Sequence, residues 1–116
     1  MNTLQQLVIF NGLYDILCAL CLLKIINIPI LNKIHLSMFI NEPTDQDKRY
    51  MAYWIVTYGY IRLLWLIHLN NYLVSISYLI EAIVIFNECI IHKQIYVYNG
   101  IIVSIISFII AMFVLL

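Results

Sequence analysis

The sequence predicts an all-α membrane protein, a four-transmembrane-helix up-down bundle with a short interfacial helix between the first and second spans. Three observations carry that expectation. The 116 residues are 65% hydrophobic and only 10% charged, whereas soluble domains run at roughly 45–50% apolar and about 25% charged. Four stretches, Leu4–Leu23, Tyr50–Leu69, Tyr72–Ile91 and Tyr96–Leu116, each supply roughly the 20 mainly apolar residues that a helix needs to cross a bilayer core. The connections after the second and third stretches are only a few residues long, which favours antiparallel neighbours. Helices are required because lipid offers no partner to free backbone N–H and C=O groups. A single integral membrane domain over 1–116 is expected from length.

Mean hydropathy of +0.98 agrees with this class. Lys and Arg number 6 and Asp and Glu 6, for a net charge of zero, so there is no basic field for nucleic acid. The amino terminus, MNTLQQLVIF, lacks the basic region of a removable signal peptide, so the first span is expected to remain. No Gly-rich phosphate loop, GxSxG or HExxH occurs, and nothing implies a cofactor. Membrane lipid is the expected environment, with a homo-oligomer or a membrane-protein partner as the further alternatives.

Sidedness follows from the basic residues. Lys24, Lys33, Lys48 and Arg49 lie between spans one and two and Lys93 between three and four. The excess of Lys and Arg in cytoplasmic loops makes 24–49 and 92–95 cytoplasmic and both termini non-cytoplasmic. Within 24–49, Pro29 suits a first helical turn, and Ile30, Leu31, Ile34 and Met38 recur on one face. That pattern predicts the interfacial helix; a bent continuation of span one is the alternative. Thr44 followed by Asp47 predicts a cap that starts the second long helix about one turn before the membrane. His68-Leu69-Asn70-Asn71 and His92-Lys93-Gln94 predict tight turns. Tyr50, Tyr53, Trp54, Tyr96 and Tyr98 fit a cytoplasmic aromatic belt, and Trp65 and Tyr72 an outer one.

The candidate site is a set of ionisable residues inside the apolar runs. With a rise of about 1.5 Å per residue, Asp15, Glu81 and Arg62 lie about 16, 14 and 10 Å from the outer edge of their spans. The Cα–Cβ bond leans toward a helix's own amino terminus, so the two acids lean outward and Arg62 inward. The three heads are expected to meet. One arginine cannot neutralise two carboxylates, so the second acid is expected to be protonated or to share a water or tyrosine hydroxyl. Asn11, Tyr58 and Tyr78 lie about one turn from Asp15, Arg62 and Glu81, which gives each charge a polar companion. A stripe continues from Glu81 through Glu88 to His92 toward the cytoplasmic end.

Span four carries no charge, but Gly100, Ser104, Ser107 and Ala111 share one face. Small residues let membrane helices approach closely, here within the bundle or in a dimer. Cys18-Ala-Leu-Cys21 and Cys89-Ile-Ile-His92 together supply the ligand types of a tetrahedral metal site. The Cys-x-x-Cys pair is also loosely similar to that of the four-helix vitamin K epoxide reductases, which would imply redox work on a quinone. A reducing cytoplasm opposes that, and the simplest reading makes these cysteines small apolar residues.

Three functions are thus open: a non-enzymatic membrane protein held by Asp15, Arg62 and Glu81; a protein that binds lipid or a small apolar ligand, isomerase-like, with Trp54, Tyr58 and Tyr78 lining the pocket; or a proton or cation pathway in an oligomer. The helix count, acids and aromatics are loosely similar to small sterol-isomerase-like membrane proteins, with no motif matched residue by residue.

Overall fold

A computed structural model describes residues 2–67 and 70–116. Helix α1 spans Thr3–Leu22, α2 Leu31–Ile34, α3 Asp45–Leu64, α4 Asn71–Phe86 and α5 Val97–Leu115, with a 3₁₀ turn at Leu36–Met38 and a π-helical segment at Asn87–Ile91. No strand forms among the described residues; one isolated antiparallel bridge joins Phe39 to Ile95. The chain divides into two compact units, Met1–Ser37 with Glu42–Leu69, and Met38–Asn41 with Asn70–Leu116. Each unit is built on a helical hairpin, α1 with α3 in the first and α4 with α5 in the second.

In the first unit, α1 opens on a reciprocal cap. The Gln5 N–H donates to Asn2 Oδ1 at 2.8 Å and the Asn2 N–H to Gln5 Oε1 at 3.1 Å, satisfying two of the donors that a helix start leaves free. The helix ends on Lys24, which adopts a left-handed φ of 62°. The Lys24 N–H then donates to Cys21 O and the Ile25 N–H to Leu20 O, both at 3.0 Å. That is the Schellman arrangement, in which glycine is the usual residue at this position.

The helix expected between Pro29 and Met38 is not continuous. The segment breaks into one α turn and one 3₁₀ turn, with Ser37 Oγ donating to the Ile34 carbonyl at 2.7 Å, a local bond that competes with helix continuation. Leu36 packs on a cluster of Ala19, Leu22, Ala52 and Ile55, which joins the end of α1 to the first half of α3.

Thr44 caps α3, its Oγ1 accepting from the Asp47 N–H at 3.2 Å, and Asp45 and Asp47 lie at the positive end of the helix dipole. The helix stops at Leu64 rather than Leu69. Three i to i−3 bonds then tighten the chain, Trp65 N to Arg62 O, Leu66 N to Leu63 O and Ile67 N to Leu64 O. His68 and Leu69 of the expected tight turn lie outside the described residues; Asn70 caps α4 by accepting from the Leu73 N–H at 3.2 Å.

In the second unit, α4 widens into the π segment, closed by His92 N donating to Asn87 O at 3.2 Å. Lys93 follows with φ of 55°. Beyond it, the Ile40 N–H donates to Gln94 O and the Tyr96 N–H to Met38 O, both at 2.9 Å. The small face of α5 is buried as expected, at Gly100, Ser104, Ser107 and Ala111, and it packs against α4.

Among the described residues, three helical stretches are long and apolar enough to cross a membrane: Thr3–Leu22, Asn71–Ile91 and Val97–Leu115. Helix α3 is as long, but its first turns carry Asp45, Asp47, Lys48 and Arg49. Outward faces are apolar, with Phe10, Ile83, Tyr98 and Phe113 all more than half exposed. Tyr50, Tyr53, Trp54, Tyr72, Tyr96 and Tyr98 are exposed as a belt requires. Trp65 is not: it is buried, in the i to i−3 turns that follow α3.

Candidate functional site

The α1–α3 hairpin brings two short polar faces together. On α1, Asn11, Gly12 and Asp15 share a face; on α3, Tyr58, Gly59 and Arg62 do. Gly12 and Gly59 sit against each other. A Cβ on Gly59 would lie 2.8 Å from Gly12 O, and one on Gly12 3.0 Å from Gly59 O and 3.1 Å from Arg62 Cβ. The backbones therefore touch, and the arginine one turn along α3 is carried into α1. Arg62 Nη1 donates to Asp15 Oδ2 at 2.6 Å and to Asn11 Oδ1 at 2.9 Å. The guanidinium carbon stands 5.4 Å from the centroid of the Tyr58 ring, within cation–π range.

Burial makes this cluster costly and therefore informative. The Arg62 side chain is 0% exposed and that of Asp15 6%. An isolated charge in the centre of a membrane helix costs at least about 2.5–3.5 kcal/mol. Asp15 removes the net charge, Asn11 takes a further guanidinium proton, and the Tyr58 ring offers its negative face. The result is a neutral, hydrogen-bonded plug between two helices.

Comparison with protein-family models, with curated proteins and with solved structures finds no match for this chain. What the cluster does is accordingly argued from its own geometry.

Within the first unit the structure brings together Asn11, Asp15, Tyr58 and Arg62 of the expected polar network. The other two, Tyr78 and Glu81, belong to the second unit. Tyr78 is buried there, and Glu81 Oε2 accepts from Ser107 Oγ of α5 at 3.3 Å. Of the expected Glu81, Glu88, His92 stripe, Glu81 lies on α4 and Glu88 in the π segment, which alters the helical register between Glu88 and His92. Glu88 is half-buried and His92 exposed.

The metal-ligand set is not assembled either. Among the described residues no group of three or more His, Cys, Asp or Glu side chains is placed to hold an ion. Cys18 and Cys21 are buried in the first unit. Cys89 turns its thiol to the first turn of α5, with Sγ 3.8 Å from Tyr96 O and 3.5 Å from Val97 O.

Sequence reasoning missed the two glycines that set the site. The signal was present: the chain has three glycines, at 12, 59 and 100, and all three lie inside helices, where glycine costs about 1 kcal/mol relative to alanine. Each is at a helix–helix contact, Gly100 under Cys89 with a Cβ position only 2.6 Å from Sγ.

Proposed function

We propose that this chain is a small non-enzymatic integral membrane protein in which Asn11, Asp15 and Arg62 form an internal clasp, and that it acts through partners or as a component of the membrane. The observation that carries this reading is Arg62, wholly buried and bonded to Asp15 between helices whose outer faces are apolar. A catalytic arginine needs access for a substrate. This one is wholly buried, and its Nη1 donates to Asn11 and Asp15 on the facing helix.

Helix α3 is the fourth span in this reading. Its charge at Arg62 is neutralised within the hairpin, and the helical turns from Tyr50 to Ile67 cover about 27 Å at the usual rises, close to a bilayer core of about 30 Å. Lysines at 24, 33, 48 and 93 put residues 24–49 and 92–95 on the cytoplasmic side.

Alkaline carbonate extraction and single-cysteine labelling test the proposal together. The protein should stay with the membrane pellet, and Lys33→Cys and Lys93→Cys should label from the cytoplasmic side. Tyr72→Cys should label only from the opposite side, because α3 lies between it and Lys33. Labelling of Tyr72→Cys and Lys33→Cys from one side would mean that α3 does not cross. A ligand-binding reading is favoured by a second observation, a cavity at the far end of the same hairpin. Trp54 does not line it; that ring is exposed, 6.1 Å from Tyr58.

A further inference from the structure

The cavity lies where α1 ends and α3 begins, within the first unit. It has a volume of about 240 Å³, and its lining combines apolar Cys21, Leu22, Ile26 and Leu36 with polar Lys24, Asn27, Asn32 and Lys48. A second cavity of about 200 Å³ shares Leu22, Lys24 and Lys48 with it and adds Asp45 and Arg49. The two lysines thus stand at both.

Each polar group here is set up for a ligand of one kind. Lys24 occupies a left-handed position that glycine fills at lower cost, so the ammonium is held at this place against backbone preference. Lys48 is held inward: its side chain is 18% exposed, and its partner at 3.0 Å, Glu42, is 78% exposed. An ion pair with one limb in solvent is weak and exchangeable. Three cations, Lys24, Lys48 and Arg49, set against Asp45 and Glu42, leave one positive charge. Asn32 donates through Nδ2 to Asn27 Oδ1 at 2.6 Å. Its own Oδ1 is buried with no hydrogen-bond partner, which is an acceptor waiting for a donor.

A ligand that answers all of these carries one negative charge and, a few ångströms away, a hydroxyl or amine. We infer that the cavity binds the phosphodiester headgroup of an anionic phospholipid, with Lys24 and Lys48 on the phosphate and Asn32 Oδ1 accepting from a headgroup hydroxyl. Lipid rather than a free phosphate ester is indicated by exposed apolar side chains close in sequence to the lining residues. Ile25 and Ile30 flank the cavity segment with 66 and 72% of their surface exposed, an apolar path for the acyl chains beside a basic pocket at a span's end. The inference rests on the membrane reading of the preceding section.

The test uses the full chain in detergent micelles, titrated with dioctanoyl phosphatidylglycerol, dioctanoyl phosphatidylcholine and glycerol 3-phosphate, with binding read by calorimetry. Phosphatidylglycerol should bind saturably and phosphatidylcholine should not compete with it. Lys24→Gly, which suits the left-handed backbone and so keeps the fold, should weaken binding roughly ten-fold, as loss of one charge-assisted hydrogen bond implies. Lys48→Gln should act likewise, with unchanged helical circular dichroism checked for both. Asn32→Leu should remove the preference for phosphatidylglycerol over its methyl-capped headgroup analogue. Lys33→Gln, an exposed lysine outside the cavity, should leave binding unchanged.

Equal weakening by Lys33→Gln and Lys24→Gly would reduce the effect to surface charge and overturn the site. Absence of saturable phosphatidylglycerol binding would do the same. Glycerol 3-phosphate binding as tightly as the lipid would overturn the lipid as ligand. Carbonate extraction separates these failures from failure of the membrane reading, since it does not depend on any headgroup.

Discussion

The two hairpins solve the same problem by different means. Each brings its helices together at glycine, two in the first unit, Gly12 with Gly59, and one in the second, Gly100 beneath Cys89. In the first, the close approach holds a buried ion pair. In the second it serves small side-chain hydrogen bonds: Ser75 Oγ donates to Ala111 O at 2.9 Å, and Ser107 Oγ to Glu81 at 3.3 Å. The energetics differ accordingly. Removing one partner of a buried ion pair costs about 3–5 kcal/mol, because the other charge is left stranded. Hydrogen bonds between membrane helices average about 0.6 kcal/mol. The first hairpin has one decisive contact, while the second distributes its specificity over shape and several weak bonds.

That contrast is broken most forcefully at Arg62. Arg62→Leu or Asp15→Leu alone should destabilise the protein in micelles by about 3–5 kcal/mol, as measured by denaturant titration of the helical signal. The glycines come next. Gly59→Ala should cost about 1–3 kcal/mol through overpacking, and more than Gly12→Ala, because its Cβ would meet Ile16 Cγ1 as well as Gly12 O at 2.8 Å. Gly100→Ala should fall in the same range. A Cys89→Ala background should relieve it only in part: the thiol is removed, but Cys89 Cβ remains 2.7 Å away. The smallest effect belongs to Ser75→Ala, at about 0.6 kcal/mol; a loss as large as that of Arg62→Leu would erase the distinction between the hairpins.

Legibility followed the physics that each region uses. Helices α1 and α5 are mainly apolar along their length, and the expected spans agree with them to within one residue at every end. Helix α3 opens on five polar residues, Asp45 to Arg49, and its apolar run leaves the α-helix at Leu64, so composition alone misplaces its end. The π segment rests on a hydrogen-bond shift among Asn87, Glu88 and their neighbours, and residue type does not encode that. The Asp15–Arg62 pair was readable because charge in an apolar run demands a partner and depth narrows the choice. The hydrogen bond from Ser107 to Glu81 is not legible in the sequence, since Ser107 fits the close-packed small face of α5 equally well. Gly12 and Gly59 were overlooked because they are not spaced along one helix; their pattern exists only across two.

The central claim is that Asp15 and Arg62 form one energetic unit. A double-mutant cycle of Asp15→Leu, Arg62→Leu and the double variant, read by denaturant titration in micelles, tests it most directly. The double variant should recover most of the stability that either single change loses, because it strands no charge. Losses that add to within about 0.5 kcal/mol, as for independent sites, would contradict it.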